Sequence, residues 1–213
     1  MKQLDPDQNS MLEQGLLLPV MEMFYSVQGE GYHTGKAAWF IRIGGCDVGC
    51  YWCDVKESWD ASLHPLIPVG EILAKALAVA SASVVITGGE PLMYELGPLC
   101  LALKKEGLAI YLETSGAYPV SGHFDWICLS PKRNQEPRHD LLLMADELKV
   151  IVHEEEDLAW AEENAARVKS TCKLFLQPEW SQYTMMMPLI VDYVLEHPQW
   201  MISLQAHKFM NIP

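Results

Sequence analysis

The chain has 213 residues, half of them hydrophobic, and a formal net charge of −13. That size and apolar content suit one domain with a sizeable core, and the acidity argues against unspecific nucleic-acid binding. No apolar run is long enough to span a bilayer, and Met1 to Gln14 lacks the basic start and apolar stretch of a signal peptide, so a reducing, cytoplasmic setting is expected.

Val20 to Tyr25 and Ala38 to Ile43 read as strands flanking a glycine-rich turn. Val69 to Ala80 has helical spacing. Ser83 to Ile86 is a short apolar strand ended by Thr87-Gly88-Gly89, and Pro91 suits the first turn of a helix running to about Lys105. Gly107 turns the chain into strand Ala109 to Leu112, and Phe124 to Leu129 and Leu148 to Val152 are further strands. An amphipathic helix from about Glu155 to Val168 carries Glu154-Glu155-Glu156-Asp157 and Glu162-Glu163 as its solvated face. Lys173 to Leu176 is a strand, Tyr183 to His197 a helix and Trp200 to Leu204 a last strand. Such alternation predicts an α/β fold with a parallel sheet and crossover helices. The strand count favours a partial (β/α) barrel, with its chemistry at the carboxyl ends of the strands.

Chemistry-bearing residues fall at those ends. Cys46, Cys50 and Cys53 form a C-x3-C-x2-C loop. Three thiolates can hold three irons of a [4Fe–4S] cube and leave the fourth iron open, whereas electron-carrying clusters usually take four cysteines. A zinc site would want four closed ligands, and no second C-x-x-C is present. Buried or redox-active thiols are the third reading. Cys100, Cys128 and Cys172, scattered in apolar runs, read as small buried hydrophobes. Thr87-Gly88-Gly89-Glu90-Pro91, Glu113-Thr114-Ser115-Gly116, Ser130-Pro131-Lys132 and Gln177-Pro178 each close a strand. Each alone is explained by a turn or a helix cap; together they would converge on one rim.

Taken together these residues resemble the radical S-adenosylmethionine (SAM) superfamily, including the aromatic Trp52 before the last cysteine. Ser26-Val27-Gln28-Gly29-Glu30-Gly31, Ile41-Arg42-Ile43-Gly44-Gly45-Cys46 and the ending Gln205 to Pro213 narrow the resemblance to the 7-carboxy-7-deazaguanine synthases of the queuosine and 7-deazapurine pathway. It runs from about residue 21 to the C-terminus. Residues 1–18 are then an extra, loose extension, and 19–213 a single radical SAM domain.

The resemblance implies three cofactors: a [4Fe–4S] cluster on Cys46, Cys50 and Cys53, SAM on its open iron, and Mg²⁺. It implies ring contraction of 6-carboxy-5,6,7,8-tetrahydropterin with loss of ammonia, driven by a 5′-deoxyadenosyl radical. SAM would meet Gly89, Ser115, Ser130, Lys132, Gln177 and Trp52. Substrate would meet Val27, Gln28, Gly29, Glu30, Arg42, Thr87, His207 and the Pro213 carboxylate. Arg42 can fork onto a carboxylate, and Gln28 and Glu30 suit a pterin edge. A flavodoxin or ferredoxin would supply the electron, and a homodimer is expected. One departure stands out. The family usually has Thr or Ser two residues after the third cysteine, as a magnesium ligand, and this chain has Val55. Valine has no oxygen and Mg²⁺ demands oxygen ligands, so reduced magnesium dependence is expected. A radical SAM activase acting on a partner protein, and a non-catalytic iron–sulfur or zinc module, are the competing readings.

Overall fold

The structure, a computed structural model, describes residues 5–213. Its centre is one nine-stranded sheet. The strands are β1 (Leu17–Val27), β2 (Ala37–Ile43), β3 (Leu66–Pro68), β4 (Ser83–Gly88), β5 (Ala109–Thr114), β6 (Trp126–Leu129), β7 (Glu147–Val152), β8 (Lys173–Pro178) and β9 (Trp200–Ile202). Their spatial order is β3-β1-β2-β4-β5-β6-β7-β8-β9. From β2 onward every neighbouring pair is parallel, while β1 runs antiparallel to both β2 and β3. The end strands β3 and β9 do not pair with each other, so the barrel stays open, as the strand count predicted.

Strand periodicity sorts the two faces. On β2, Trp39, Ile41 and Ile43 join Ile72 of α2 (Val69–Leu77) and Leu99 and Leu103 of α3 (Gly97–Lys105) in a buried cluster. On β7, Leu148, Val150 and Val152 do the same with Leu158 of α5 (Glu156–Ala165) and Ile190 of α6 (Tyr183–Glu196). The alternate residues Phe40, Arg42, Lys149 and Ile151 face a cleft on the other side. One face of the sheet is therefore core and the opposite face is the wall of a site.

Several expectations change. β1 begins at Leu17, and Leu17 and Leu18 are buried, so the sheet reaches into the segment expected to be loose. Ahead of it lies α1 (Pro6–Glu13), N-capped by Asp5 and burying none of its own residues. The helix expected from Pro91 to Lys105 is split. Pro91–Met93 is a single 3-10 turn, capped by the Glu90 side chain accepting from the Leu92 N–H, and α3 starts afresh with Pro98 in its first turn. Asp157 is not part of a solvated face. It is buried, pairs with Arg133 at 2.9 Å and accepts from the backbone N–H groups of His153 and Glu154. Glu162 likewise turns inward to the Tyr193 hydroxyl and the Trp200 indole N–H. Two short helices, α4 (His139–Met144) and α7 (Ala206–Met210), carry too few residues to show a period. Cys100, Cys128 and Cys172 are buried as expected.

Candidate active site

The carboxyl ends of the parallel strands surround a cleft of about 300 Å³. Every residue expected from the sequence to touch cluster, cofactor or substrate lines it. Cys46, Cys50, Trp52, Cys53 and Val55 come from the loop after β2. Thr87 and Gly89 come from the end of β4, and Ser115, Ser130, Lys132 and Gln177 from the ends of β5, β6 and β8. Val27, Gln28, Gly29 and Glu30, with Arg42, His207 and Pro213, complete the wall.

The three loop cysteines are half-buried free thiols, with no disulfide partner. Burial pushes the Cys46 and Cys50 thiols up, and a bound cluster would supply charge that favours their thiolates. Among the described residues no three His, Cys, Asp or Glu groups converge on a single metal ion. The cysteine loop and the end of β4 pack backbone to backbone: a Cβ at Gly89 would sit 2.1 Å from the Gly45 carbonyl oxygen and 3.1 Å from the Cys46 Cβ. The glycine is required by contact, which a turn alone would not demand.

Behind this contact Glu90 is buried and ties two strand-end segments together, those that follow β4 and β5. Its carboxylate accepts from the Leu92 N–H, the Thr114 hydroxyl at 2.6 Å, and the Ser115 N–H and hydroxyl at 2.8 and 2.5 Å. Lys132 donates to both the carbonyl and the hydroxyl of Ser130 at 2.6 Å and lies 5.7 Å from the Trp52 ring centroid. It has no carboxylate partner among the described residues, which leaves a half-buried cation facing the cleft; desolvation lowers its pKa. The Gln177 amide oxygen is held by the Ser203 hydroxyl at 2.6 Å.

The substrate side is a polar network. Lys149 donates to Glu30 at 2.6 Å and Glu113 at 2.9 Å. Gln28 donates to the other oxygen of Glu113 at 3.3 Å, and Gln205 to the other oxygen of Glu30 at 3.0 Å. Burial raises the Glu30 pKa, but the Lys149 ammonium and the Gln205 amide outweigh it and hold the carboxyl down to about 2. The ending α7 docks on this loop through the Ala206 N–H to the Gly29 carbonyl at 2.9 Å. The fit is so close that a Cβ at Gly29 would meet His207 Nδ1 at 2.3 Å. Burial also keeps His207 below its usual pKa, hence neutral near pH 7. Pro213 accepts from the Ser26 hydroxyl through its carbonyl oxygen at 3.1 Å. Arg42 donates its Nε to Glu22 at 2.6 Å, an ion pair beside the cleft.

Comparison with known proteins agrees with this geometry. The Radical SAM superfamily profile matches residues 40–126. A 7-carboxy-7-deazaguanine synthase from Flavobacterium psychrophilum is 55% identical, over 95% of this chain and 96% of its own. One from Synechocystis is 49% identical, over 91% of this chain and 93% of its own. The chain belongs to the 7-carboxy-7-deazaguanine synthase family. A crystal structure of QueE from Escherichia coli, 31% identical, superposes with a TM-score of 0.81 and covers 95% of this chain and 100% of that one.

For a member of this synthase family, the superfamily implies SAM and a [4Fe–4S] cluster, and the residues present fit both. Three free thiols face the cleft beside a glycine-only backbone contact and Lys132, a cation with no carboxylate partner among the described residues. Magnesium does not fit in the same way. Val55 has no side-chain oxygen, and its carbonyl already accepts from the Ser58 N–H and hydroxyl. One oxygen of the neighbouring Asp54 carboxylate, Oδ2, accepts from Lys208 at 2.7 Å and Gln205 at 3.2 Å. Sequence reasoning missed Lys149, Glu113, Glu90 and Gln205 as parts of the site. For Glu90 and Glu113 the signal lay inside the quoted motifs; Lys149, in the middle of an apolar strand, was itself the overlooked signal.

Proposed function

We propose that the chain converts 6-carboxy-5,6,7,8-tetrahydropterin to 7-carboxy-7-deazaguanine with loss of ammonia. The observation that carries this reading is the convergence of the cysteine loop, the strand-end motifs and the C-terminal segment on one cleft, in a chain whose relatives bear that synthase name. When bound, SAM and its cluster supply hydrogen-atom transfer chemistry. The chain's own residues bind and orient. Cys46, Cys50 and Cys53 hold the cluster. The backbone at Gly89 and the side chains of Ser115, Ser130, Lys132, Gln177 and Trp52 hold SAM, with the Lys132 cation suited to a carboxylate. Arg42, with Nε fixed on Glu22, keeps its terminal nitrogens for the pterin carboxylate. Gln28, Glu30, Thr87 and neutral His207 offer hydrogen bonds to the ring, while Val27, Gly29 and Pro213 close the walls.

A flavodoxin or ferredoxin as electron donor, a homodimeric assembly and a cytoplasmic location remain part of this proposal. Among the described residues no helix is long and apolar enough to cross a membrane. The test is anaerobic reconstitution, then dithionite and SAM with and without the pterin. The expected result is 5′-deoxyadenosine formation together with the 7-deazapurine product by mass. SAM cleavage indifferent to the pterin would restore the activase reading, and no SAM cleavage at all the binding module.

A further inference from the structure

Lys149 lies on the cleft side of β7 with its side chain 4% exposed, a costly place for a lysine. Its ammonium reaches two carboxylates that come from distant parts of the chain: Glu30 on the β1–β2 loop at 2.6 Å and Glu113 on β5 at 2.9 Å. Both carboxylates line the cleft. Each also accepts one amide hydrogen through its second oxygen, Glu30 from Gln205 and Glu113 from Gln28. An ionised carboxylate has about four lone-pair sites, so each retains acceptor capacity.

Resting on the pterin reading above, we propose that Lys149 is a positioning residue for the substrate. Its ammonium holds the Glu30 and Glu113 carboxylates aligned as a paired acceptor for the N–H groups of the heterocycle. Two carboxylates this close to one nitrogen would otherwise repel, and one would take up a proton and lose an acceptor. Other titratable groups around Lys149 are Glu147 on β7 and Cys128 on β6, with Lys132 and His207 further along the cleft. Glu147 accepts from the Trp126 indole and the Tyr32 N–H through one oxygen, while its other oxygen is buried without a partner and burial raises its pKa, so its titration is a background that the comparison with wild type accounts for. Burial pushes Cys128 well up, so it stays a neutral thiol. Burial also works against the Lys149 charge, but the carboxylates outweigh it and hold the ammonium well above the ordinary lysine range.

The experiment is anaerobic equilibrium binding of the carboxylated tetrahydropterin to the cluster-loaded protein with SAM, at pH 6.5 and 8.5. Wild type is compared with Lys149→Met and with Lys149→Met combined with Glu113→Gln. Comparing each variant's ratio of Kd at the two pH values with the wild-type ratio accounts for the titration of His207 and Glu147. Lys149→Met should weaken pterin binding about 10- to 100-fold at pH 6.5. Part of the loss should be recovered at pH 8.5, where the shared proton leaves. SAM affinity should be unchanged. The double variant should fold even where the single one does not, and its pH ratio should return to that of wild type.

Pterin affinity of Lys149→Met within about threefold of wild type at both pH values overturns the proposal. So does equal, pH-independent weakening of pterin and SAM, which is what a merely structural lysine would give, and so does a double variant that fails to fold or keeps the pH dependence. A wild type that does not bind the pterin removes the substrate assignment itself. Wild-type binding with an indifferent Lys149→Met removes only the role of Lys149.

Discussion

Replacing Glu90 with glutamine preserves shape and volume, and on this structure it should still be severe. The carboxylate is 1% exposed and receives four hydrogens, two on each oxygen. The two hydroxyls among its donors are committed in that direction. Thr114 Oγ1 accepts from the Gly116 N–H at 3.0 Å, and Ser115 Oγ from the Ala117 N–H at 3.4 Å, which leaves their protons for Glu90. Four converging donors need an ionised carboxylate, whereas a primary amide offers two acceptor sites and two donors. The new NH₂ would face the Ser115 N–H, donor to donor. A stranded buried N–H costs about 1–3 kcal/mol, and losing the charge from the remaining bonds adds roughly 1 kcal/mol or more. The expected loss for Glu90→Gln is therefore about 2–5 kcal/mol. Anaerobic urea unfolding should show a lower midpoint at an unchanged slope. SAM binding should weaken at least about tenfold, because Gly89 and Ser115 flank the same carboxylate. A variant within about 0.5 kcal/mol of wild type, with unaltered SAM affinity, would refute the reasoning: it would mean that the carboxyl is protonated and that one hydroxyl points away.

Three further outcomes are expected. Gly89→Ala should fold poorly or lose its cluster, read as iron content and visible absorbance, because the clashing atoms are backbone; Gly70→Ala in α2, with nothing within 4 Å of the new Cβ, should instead stabilise by about 0.5–1 kcal/mol. Turnover of the wild type titrated with Mg²⁺ after chelation should respond weakly, and Val55→Thr should steepen the response. Steep activation of the wild type that the substitution leaves unaltered would contradict the reading of Val55. Acid stability should carry the signature of Glu30. Its folded pKa of about 2 lies below the unfolded value near 4.5, so its contribution is fully present above pH 4.5 and is lost as pH falls toward 2. The size is on the order of 3 kcal/mol. Urea midpoints between pH 7 and 3 should fall less steeply for Glu30→Gln, and identical slopes would remove the carboxylate from the account.

Much of the site was legible because its signals are local. A cysteine spacing, a glycine pair and a Ser or Gln at a strand end are each contained in a few residues, and strand–helix alternation places those ends on one rim. The same locality explains the misreadings. Pro91 looked like a helix start because nothing in the sequence shows Glu90 turning back to cap a single 3-10 turn. Asp157 and Glu162 sit in an acidic run and look solvated; their side-chain partners Arg133, Tyr193 and Trp200, all more than 20 residues away along the chain, help turn them inward.

By itself the sequence determined the chemistry at hand: three thiols at the spacing expected of an open-sited cluster, glycines where backbones touch, and a valine with no side-chain oxygen two residues past the last cysteine. The tertiary structure alone decided how those groups are charged and held. The Lys149 ammonium meets Glu30 across 119 residues and Glu113 across 36. Gln205 reaches Glu30 across 175, and α7 closes on Gly29. Such pairs have no period or spacing to read. They follow from the register of neighbouring strands and from the burial that makes an unpaired charge costly, and both exist only once the sheet has assembled.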